Sequence, residues 1–361
     1  MISISQYFRK FDWLLFSAVI LLFAIGLFTV YSVDTSLDFF KKQLIWGGIG
    51  IIMFFLTGFI DYRIFKNHSF TVIFLYIVIV ILLIFLLLVN FKIRGAASWF
   101  RIVNFNFQPA EFAKLILVFL LAKYFSVRHI EMYKIKHIII SGIYVGIPGF
   151  LIFAQPDFGM ATVLFILWFG IIMITGIKPY HFGIISGSGA IAAAIGWFFV
   201  LKDYQKARIL FYLKPDIDPL GHGYNLIQSL ASIGSAGFWG KGLGHGSQAR
   251  FGFLPEAHTD FIFASFVEEW GGLGAIFLVL LLIFILYRMI KIFLSSSNNF
   301  ARLCVTGICL IMFSQIIINV GMNIGFFPIT GLTFPFLSYG GSSLLASFMA
   351  MGFLENIKVY S

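Results

Sequence analysis

The sequence predicts an all-α polytopic membrane protein with about ten transmembrane helices and one long extracytoplasmic loop between helices 7 and 8. Three observations carry this. Apolar runs close to the ~20 residues that cross a bilayer recur from end to end. Of the 361 residues, 60% are hydrophobic and only 11% charged, against about 25% charged in ordinary soluble domains. The lysines and arginines fall mostly in short segments between the runs, the pattern of positive-inside sorting. No stretch is left for a separate soluble domain, so residues 1–361 read as a single integral membrane domain with 201–258 as a loop within it.

The first run, 13–31, is longer than a typical signal-peptide core and lacks an A-x-A-like cleavage site, so it is a membrane helix. The others are placed at 44–60, 70–89, 110–125, 138–153, 159–174, 182–200, 261–287, 303–322 and 342–353, the last being short for a span. With a cytoplasmic N-terminus, the inside segments hold Arg9, Lys10, Arg63, Lys66, Lys123, Arg128, Lys134, Lys136, Lys178, Arg288, Lys291, Arg302 and Lys358. The short outside loops hold only Lys41, Lys42, Lys92, Arg94 and Arg101. This asymmetry puts both termini in the cytoplasm; the long loop is exempt, because long loops translocate largely regardless of charge.

A net charge of +10 would suggest nucleic acid in a soluble protein. Here the loop distribution makes membrane lipids a sufficient explanation, and no nucleic-acid partner is expected. Cys304 and Cys309 lie within one predicted helix and cannot bridge along it, so they say nothing of the redox compartment. The 201–258 loop is glycine-rich from Gly221 to Gly246. Loops of that length are uncommon unless functional or disordered. Its interleaved Phe211, Tyr212, Tyr224, Phe238 and Trp239 argue against disorder, and it is expected to pack on the helices as a partly embedded lid.

Function is sought in polar residues that hydrocarbon should reject. Glu111 and Lys114 in FQPAEFAKLILVF share a helix face and can pair. They are either a structural interfacial ion pair or the lining of a polar cavity, together with Gln108, Trp99 and Arg101 on the same outer side. Gln155 and Asp157 in FAQPDFGMA flank the bend at Pro156, where Asp157 is also suited to simple helix capping. PFLSYGGSSLLASF offers hydroxyls and a glycine pair before the last span, and is equally consistent with a flexible re-entrant turn.

FLPEAHTDFIFASF gathers Glu256, His258 and Asp260 at the mouth of a span. Their spacing matches no zinc or calcium signature, and an interfacial role against the headgroups is the bland alternative. Asp260, the last acidic residue before the apolar helix, is placed where low dielectric can fit it for proton abstraction, or where it can hold a divalent cation against a phosphate.

Several segments in order, RGAASWFRIVNFNFQPAEFAK, AQPDFGMA, YQKARILFYLKPDIDPLGHGYNLIQS, GSAGFWGKGLGHGSQARFGFLPEAHTDFIFA, VEEWGGLG and PITGLTFPFLSYGGSS, resemble the SEDS family of RodA, FtsW and SpoVE over most of the chain. The resemblance implies a peptidoglycan glycosyltransferase of the bacterial cytoplasmic membrane, polymerising lipid II onto a glycan carried on undecaprenyl pyrophosphate. It implies that Asp260 is the catalytic residue, either base or metal ligand, and that Trp99, Arg101, Glu111, Lys114, Gln155, Asp157, Arg208, Gln228, His258 and Ser338 border an outward-open, substrate-binding cavity. A divalent cation, Mg2+ or Mn2+, is the one cofactor considered; no nucleotide or organic cofactor is needed. The partner implied is a class B penicillin-binding protein transpeptidase.

Two departures from the family pattern stand out. Ser98 occupies a position before Trp99 where a basic residue is frequent, and Ala257 is the FtsW-like choice. Pro328 to Gly331 and Gly321-Met322 look more like RodA, so the resemblance leans to the elongation type. The rival readings are a flippase for lipid-linked precursors and a non-enzymatic scaffold of the synthesis complex. A transporter needs a polar path across the bilayer, whereas the polar residues here gather at one side.

Overall fold

The computed structural model describes residues 4–34, 36–89, 99–102, 105–128, 135–176, 178–195, 198, 206 and 223–360. Arg208, much of the 201–222 segment and the side chain of Arg101 fall outside this description. The elements in order are α1 (Ile4–Lys10), α2 (Trp13–Val33), α3 (Asp38–Phe59), α4 (Arg63–Asn67), α5 (Ser69–Val89), β1 (Phe100–Ile102), β2 (Phe105–Phe107), α6 (Pro109–Arg128), α7 (Ile135–Ala154), α8 (Phe158–Thr175) and α9 (Pro179–Ile195). They continue with α10 (Tyr224–Ser235), α11 (Ser247–Arg250), α12 (Ile262–Ser295), α13 (Asn299–Asn323) and α14 (Gly341–Tyr360).

Among the described residues, seven helices are long and apolar enough to cross a membrane: α2, α3, α5, α7, α8, α12 and α13. The helices α6 and α14 are each 20 residues long but carry charges that lower their hydropathy, Glu111, Lys114, Lys123 and Arg128 on one and Glu355 and Lys358 on the other. Both are buried along most of their length. The most apolar stretch of α13 is 72% buried, whereas the corresponding stretches of the other six candidate spans are 22% to 44% buried. The bundle is therefore layered, with α6, α13 and α14 inside and apolar helices facing outward around them. Charge on the inner helices is tolerated because it meets protein rather than lipid.

The helix ends follow local chemistry. Asp12, Asp157 and Asn298 cap α2, α8 and α13, accepting from the amides of Leu15, Met160 and Ala301. Pro109 opens α6, where its missing N–H leaves nothing unsatisfied. A Cβ on Gly352 of α14 would lie 2.2 Å from the Phe54 carbonyl oxygen of α3, so only glycine allows these two helices to approach so closely.

Two predicted helices change in extent. The last helix extends from Gly341 to Tyr360 rather than over 342–353, because its polar end is buried rather than lost to solvent. The helix predicted at 261–287 runs to Ser295 and is broken in its course at Gly271, whose φ of 66° and ψ of −165° are non-helical. A Cβ there would lie 2.2 Å from the Gly240 amide nitrogen, so the break admits the backbone of the preceding loop. The all-α expectation also missed an antiparallel ribbon, in which Phe100 pairs with Phe107 and Arg101 with Asn106.

The described part of the 201–258 loop packs down as expected. Its α10 lies against α12, and the Ser229 hydroxyl donates to the Asn323 carbonyl at 2.8 Å. The following turn closes on two buried carboxylates at the start of α12. Glu268 accepts from Lys241 Nζ at 2.7 Å and from the Gln248 amide at 3.0 Å, while Glu269 accepts from Ser32 Oγ at 2.8 Å and from the Gly244 amide at 3.0 Å.

At the far end of the bundle Arg288 grips Asp12 with Nε at 3.1 Å and Nη2 at 2.5 Å, Lys358 adds a second cation at 3.3 Å, and the Asp12 amide donates to Glu355 at 2.6 Å. Burial pushes the Asp12 carboxyl up, but the Arg288 hydrogen bonds, the Leu15 amide and the two positive charges hold it below the ordinary 3.8.

Candidate functional site

The site forms at the end of the bundle opposite Asp12, where α6, α8 and α12 begin and α13 finishes. Residues 256–261 make a tight turn. Thr259 and Phe261 donate their amides to the Glu256 carbonyl at 3.0 and 3.2 Å, and the Thr259 hydroxyl reaches Glu256 Oε2 at 2.9 Å. Glu256 itself sits at φ 51°, a left-handed conformation that few side chains adopt and that its own turn must hold. Its carboxylate thus organises the loop.

Asp260 follows, half-buried, two residues before α12 starts. Its carbonyl accepts two hydrogen bonds, from Asn319 Nδ2 and from Asn323 Nδ2, each at 3.0 Å. Both asparagines are fully buried. Asn319 also donates to Leu332 at 2.7 Å, and the Asn323 side-chain oxygen accepts the Ala264 amide at 3.1 Å. Asp260 Oδ2 lies 3.6 Å from where a Gly331 Cβ would stand, so the 330–332 segment forms a wall beside the carboxylate. The same segment packs on α8, because a Cβ on Gly159 would lie 3.0 Å from the Thr330 carbonyl oxygen.

The second group surrounds the entry to α6 and α8. Lys114 Nζ lies 2.5 Å from Glu111 Oε2 and 2.8 Å from Gln315 Oε1, with Glu111 and Lys114 both 2% exposed. Gln108 donates through Nε2 to Asp157 Oδ2 at 3.1 Å, and through its amide to Ser342 Oγ at 3.1 Å. The Asp157 carboxyl is raised to about 6: burial pushes it up most, the Glu111 charge adds to that, and the Met160 amide, Gln108 and Lys114 act against them. Gln108, Glu111, Lys114 and Asp157 therefore form one electrostatic unit. Gln315 and Asn319 lie one turn apart on α13, so the same helix face touches Lys114 and the Asp260 backbone.

The remaining predicted residues are distributed differently. Ser338 is buried with its hydroxyl committed, donating to the Thr259 carbonyl at 2.6 Å and accepting the Phe334 amide at 2.8 Å, so it braces the 256–261 turn. The His258 ring stacks on Phe39 with centroids 4.1 Å apart, and its carbonyl accepts from the Tyr339 amide at 2.9 Å. The buried Gln155 donates to the Leu83 carbonyl of α5 at 3.0 Å. Gln228 is half-buried on α10, and Trp99 is half-buried just before β1. Arg101 is placed only by its backbone in β1, and Arg208 lies outside the described residues.

Asn319, Asn323 and Gln315 escaped the sequence reading although a signal existed. They recur at helical spacing in SQIIINVGMN, a polar stripe on an otherwise apolar helix. Among the described residues no group of three metal-ligating side chains converges.

The chain matches the FtsW/RodA/SpoVE family model, described as cell cycle protein, over residues 10–361. Stage V sporulation protein E of Bacillus subtilis is 36% identical over 365 residues, 97% of this chain and 97% of its own length. Peptidoglycan glycosyltransferase MrdB of Escherichia coli K12 is 34% identical over 287 residues, 80% of this chain and 77% of its own. In a solved structure on the coordination of polymerization and crosslinking by a peptidoglycan synthase complex, one chain superposes with a TM-score of 0.83 at 29% identity, covering 96% of this chain and 97% of that one. The family model spans FtsW, RodA and SpoVE together, so the match does not separate elongation from division type.

Proposed function

The chain belongs to the FtsW/RodA/SpoVE family, and on that premise we propose that it is a peptidoglycan glycosyltransferase, polymerising lipid II into glycan strands for cell-wall elongation or division and cell shape. The observation that supports the assignment to this site is the anchoring of Asp260 at the end of the bundle on the same α13 face whose Gln315 meets Lys114.

The reaction joins the acceptor 4-hydroxyl oxygen to the donor anomeric carbon as the bond from that carbon to the undecaprenyl pyrophosphate oxygen breaks. Asp260 takes the proton released by the attacking hydroxyl, a role that contributes typically about 10²- to 10⁴-fold. In the other form of the proposal Asp260 and the pyrophosphate hold a divalent cation, which when bound would neutralise the leaving charge. Arg101 and Arg208 are assigned to phosphate contacts, for which a guanidinium is suited by its two-pronged donor geometry. Glu111 and Lys114, paired and desolvated, keep the cavity floor polar and fixed.

The chain crosses the bacterial cytoplasmic membrane about ten times with both termini inside. Asp260 and the Asp157 unit face outward at one end, and Asp12, Arg288 and Lys358 face the cytoplasm at the other. A class B penicillin-binding protein is the partner we assign for crosslinking, in line with the synthase complex that the fold matches. The test is polymerisation of purified lipid II by the purified chain, with and without a chelator. Glycan strands in both conditions support the base role and strands lost on chelation support the cation role, while no strands in either, with the transpeptidase added, would refute the enzyme.

A further inference from the structure

The Asp260 carbonyl lies outside the hydrogen-bond ladder of α12, which begins its accepting run with Phe261, whose oxygen takes the Ser265 amide at 3.1 Å. A carbonyl left over at this depth needs one donor. It receives two, from fully buried side chains one turn apart on α13. Nor are the remaining valences of the two amides idle. Asn319 spends its other N–H on the Leu332 carbonyl at 2.7 Å, Asn323 spends its own on the Asn319 carbonyl at 2.8 Å, and Asn323 Oδ1 takes the Ala264 amide at 3.1 Å.

The consequence is geometric. Two donors converging on one carbonyl fill both its lone pairs and fix the plane of the peptide that follows Asp260. Fixing that plane limits how the neighbouring Cα can turn, and so where the carboxylate points. The Leu332 bond sets the distance to the wall at Gly331, which stands beside Asp260 Oδ2. One turn back along the same face, Gln315 holds Lys114. The face of α13 is thus a ruler that spaces the Asp260 carboxylate from the Glu111–Lys114 pair.

We propose that Asn319 and Asn323 are positioning residues for the Asp260 carboxylate, acting through its backbone rather than on substrate. The inference rests on the glycosyltransferase reading above and adds the part that α13 plays in it. A buried amide cluster serving stability alone would change the melting temperature and leave the folded enzyme's turnover intact. A positioning pair acts on kcat, because the displaced group is needed in the transition state and not for substrate capture.

The experiment measures lipid II polymerisation by the full chain as a function of lipid II concentration, for wild type, Asp260→Asn, Asn319→Leu and Asn323→Leu. Leucine keeps the approximate volume and removes both donors. Each leucine variant is expected to fold, to keep KM within about twofold, and to lose kcat by about 10²-fold, the penalty typical of a reacting group displaced by an ångström. Asn319→Leu added to Asp260→Asn should cost nothing further. Wild-type kcat in the folded leucine variants, with Asp260→Asn inactive, overturns the positioning role alone. Full activity of Asp260→Asn overturns the glycosyltransferase site and this inference together. Failure of both leucine variants to fold assigns the asparagines to stability and also overturns it.

Discussion

Lys114 and Gln315, on α6 and α13, meet at 2.8 Å in the interior of the bundle, and that contact joins the charged floor of the site to the helix that carries Asn319. A lysine with 2% exposure is held there by Gln315 and by the Glu111 carboxylate, which stands 2.5 Å away. Each partner alone would be an uncompensated buried charge.

Lys114→Met is therefore expected to destabilise the fold by about 3 to 5 kcal/mol, the usual penalty of breaking a buried pair from one side. Glu111→Gln with Lys114→Met together should recover part of that loss, since no charge is left unpaired. Thermal unfolding in detergent measures both, and an unchanged melting temperature in the single variant would show the pair to be solvated.

Asp157 and Asp12 should give stability opposite dependences on pH. The folded Asp157 carboxyl, at about 6, lies above its ordinary 3.8, so its protonated form favours the fold; that stability is complete below about 3.8 and is lost as pH rises through about 6. Asparagine also caps helices well. Asp157→Asn should accordingly flatten the melting-temperature profile between pH 4 and 6 and raise it at pH 7. A profile identical to wild type would refute the shift.

For Asp12 the folded carboxyl is below 3.8, so its contribution is present above that value and lost as pH falls through the lower folded one. Arg288→Leu removes the hydrogen bonds that hold it down. The acid limb of the stability profile should become shallower and the neutral-pH melting temperature should drop; an acid limb as steep as wild type would contradict the ion-pair origin.

Orientation is tested with exposed positions at the two ends. In a chain with Cys304 and Cys309 replaced by alanine, His245→Cys should be labelled by a membrane-impermeant thiol reagent in spheroplasts and Ser297→Cys should not. The opposite pattern would invert the topology.

Much of this was legible in the residues. Long apolar runs fixed where helices form, and the spacing of Glu111 and Lys114 announced a pair, because i and i+3 positions meet on any helix. The capping role of Asp157 and the loop-holding role of Glu256 were also readable, being local. What sequence did not disclose was set by contacts between distant segments. That Ser338 braces Thr259 and that Gln155 donates to the Leu83 carbonyl of α5 depend on segments far apart in the chain. The polar end of the last helix was cut short because hydropathy cannot tell a solvated glutamate from Glu355, which is wholly buried beside Asp12. Asn319 and Asn323 were overlooked for a related reason. Their stripe is visible, but its target, a backbone carbonyl on another element, is not.

The catalytic role proposed for the Asp260 carboxylate is tested most directly by the rate of glycan polymerisation from lipid II by Asp260→Asn beside wild type. Asparagine keeps the size and one acceptor oxygen while removing the charge that would take the acceptor's proton or hold a cation. The prediction is a folded protein with a near-wild-type melting temperature and retained lipid II binding, and with turnover lost by at least about 10²-fold. Wild-type polymerisation by the folded Asp260→Asn protein would contradict it.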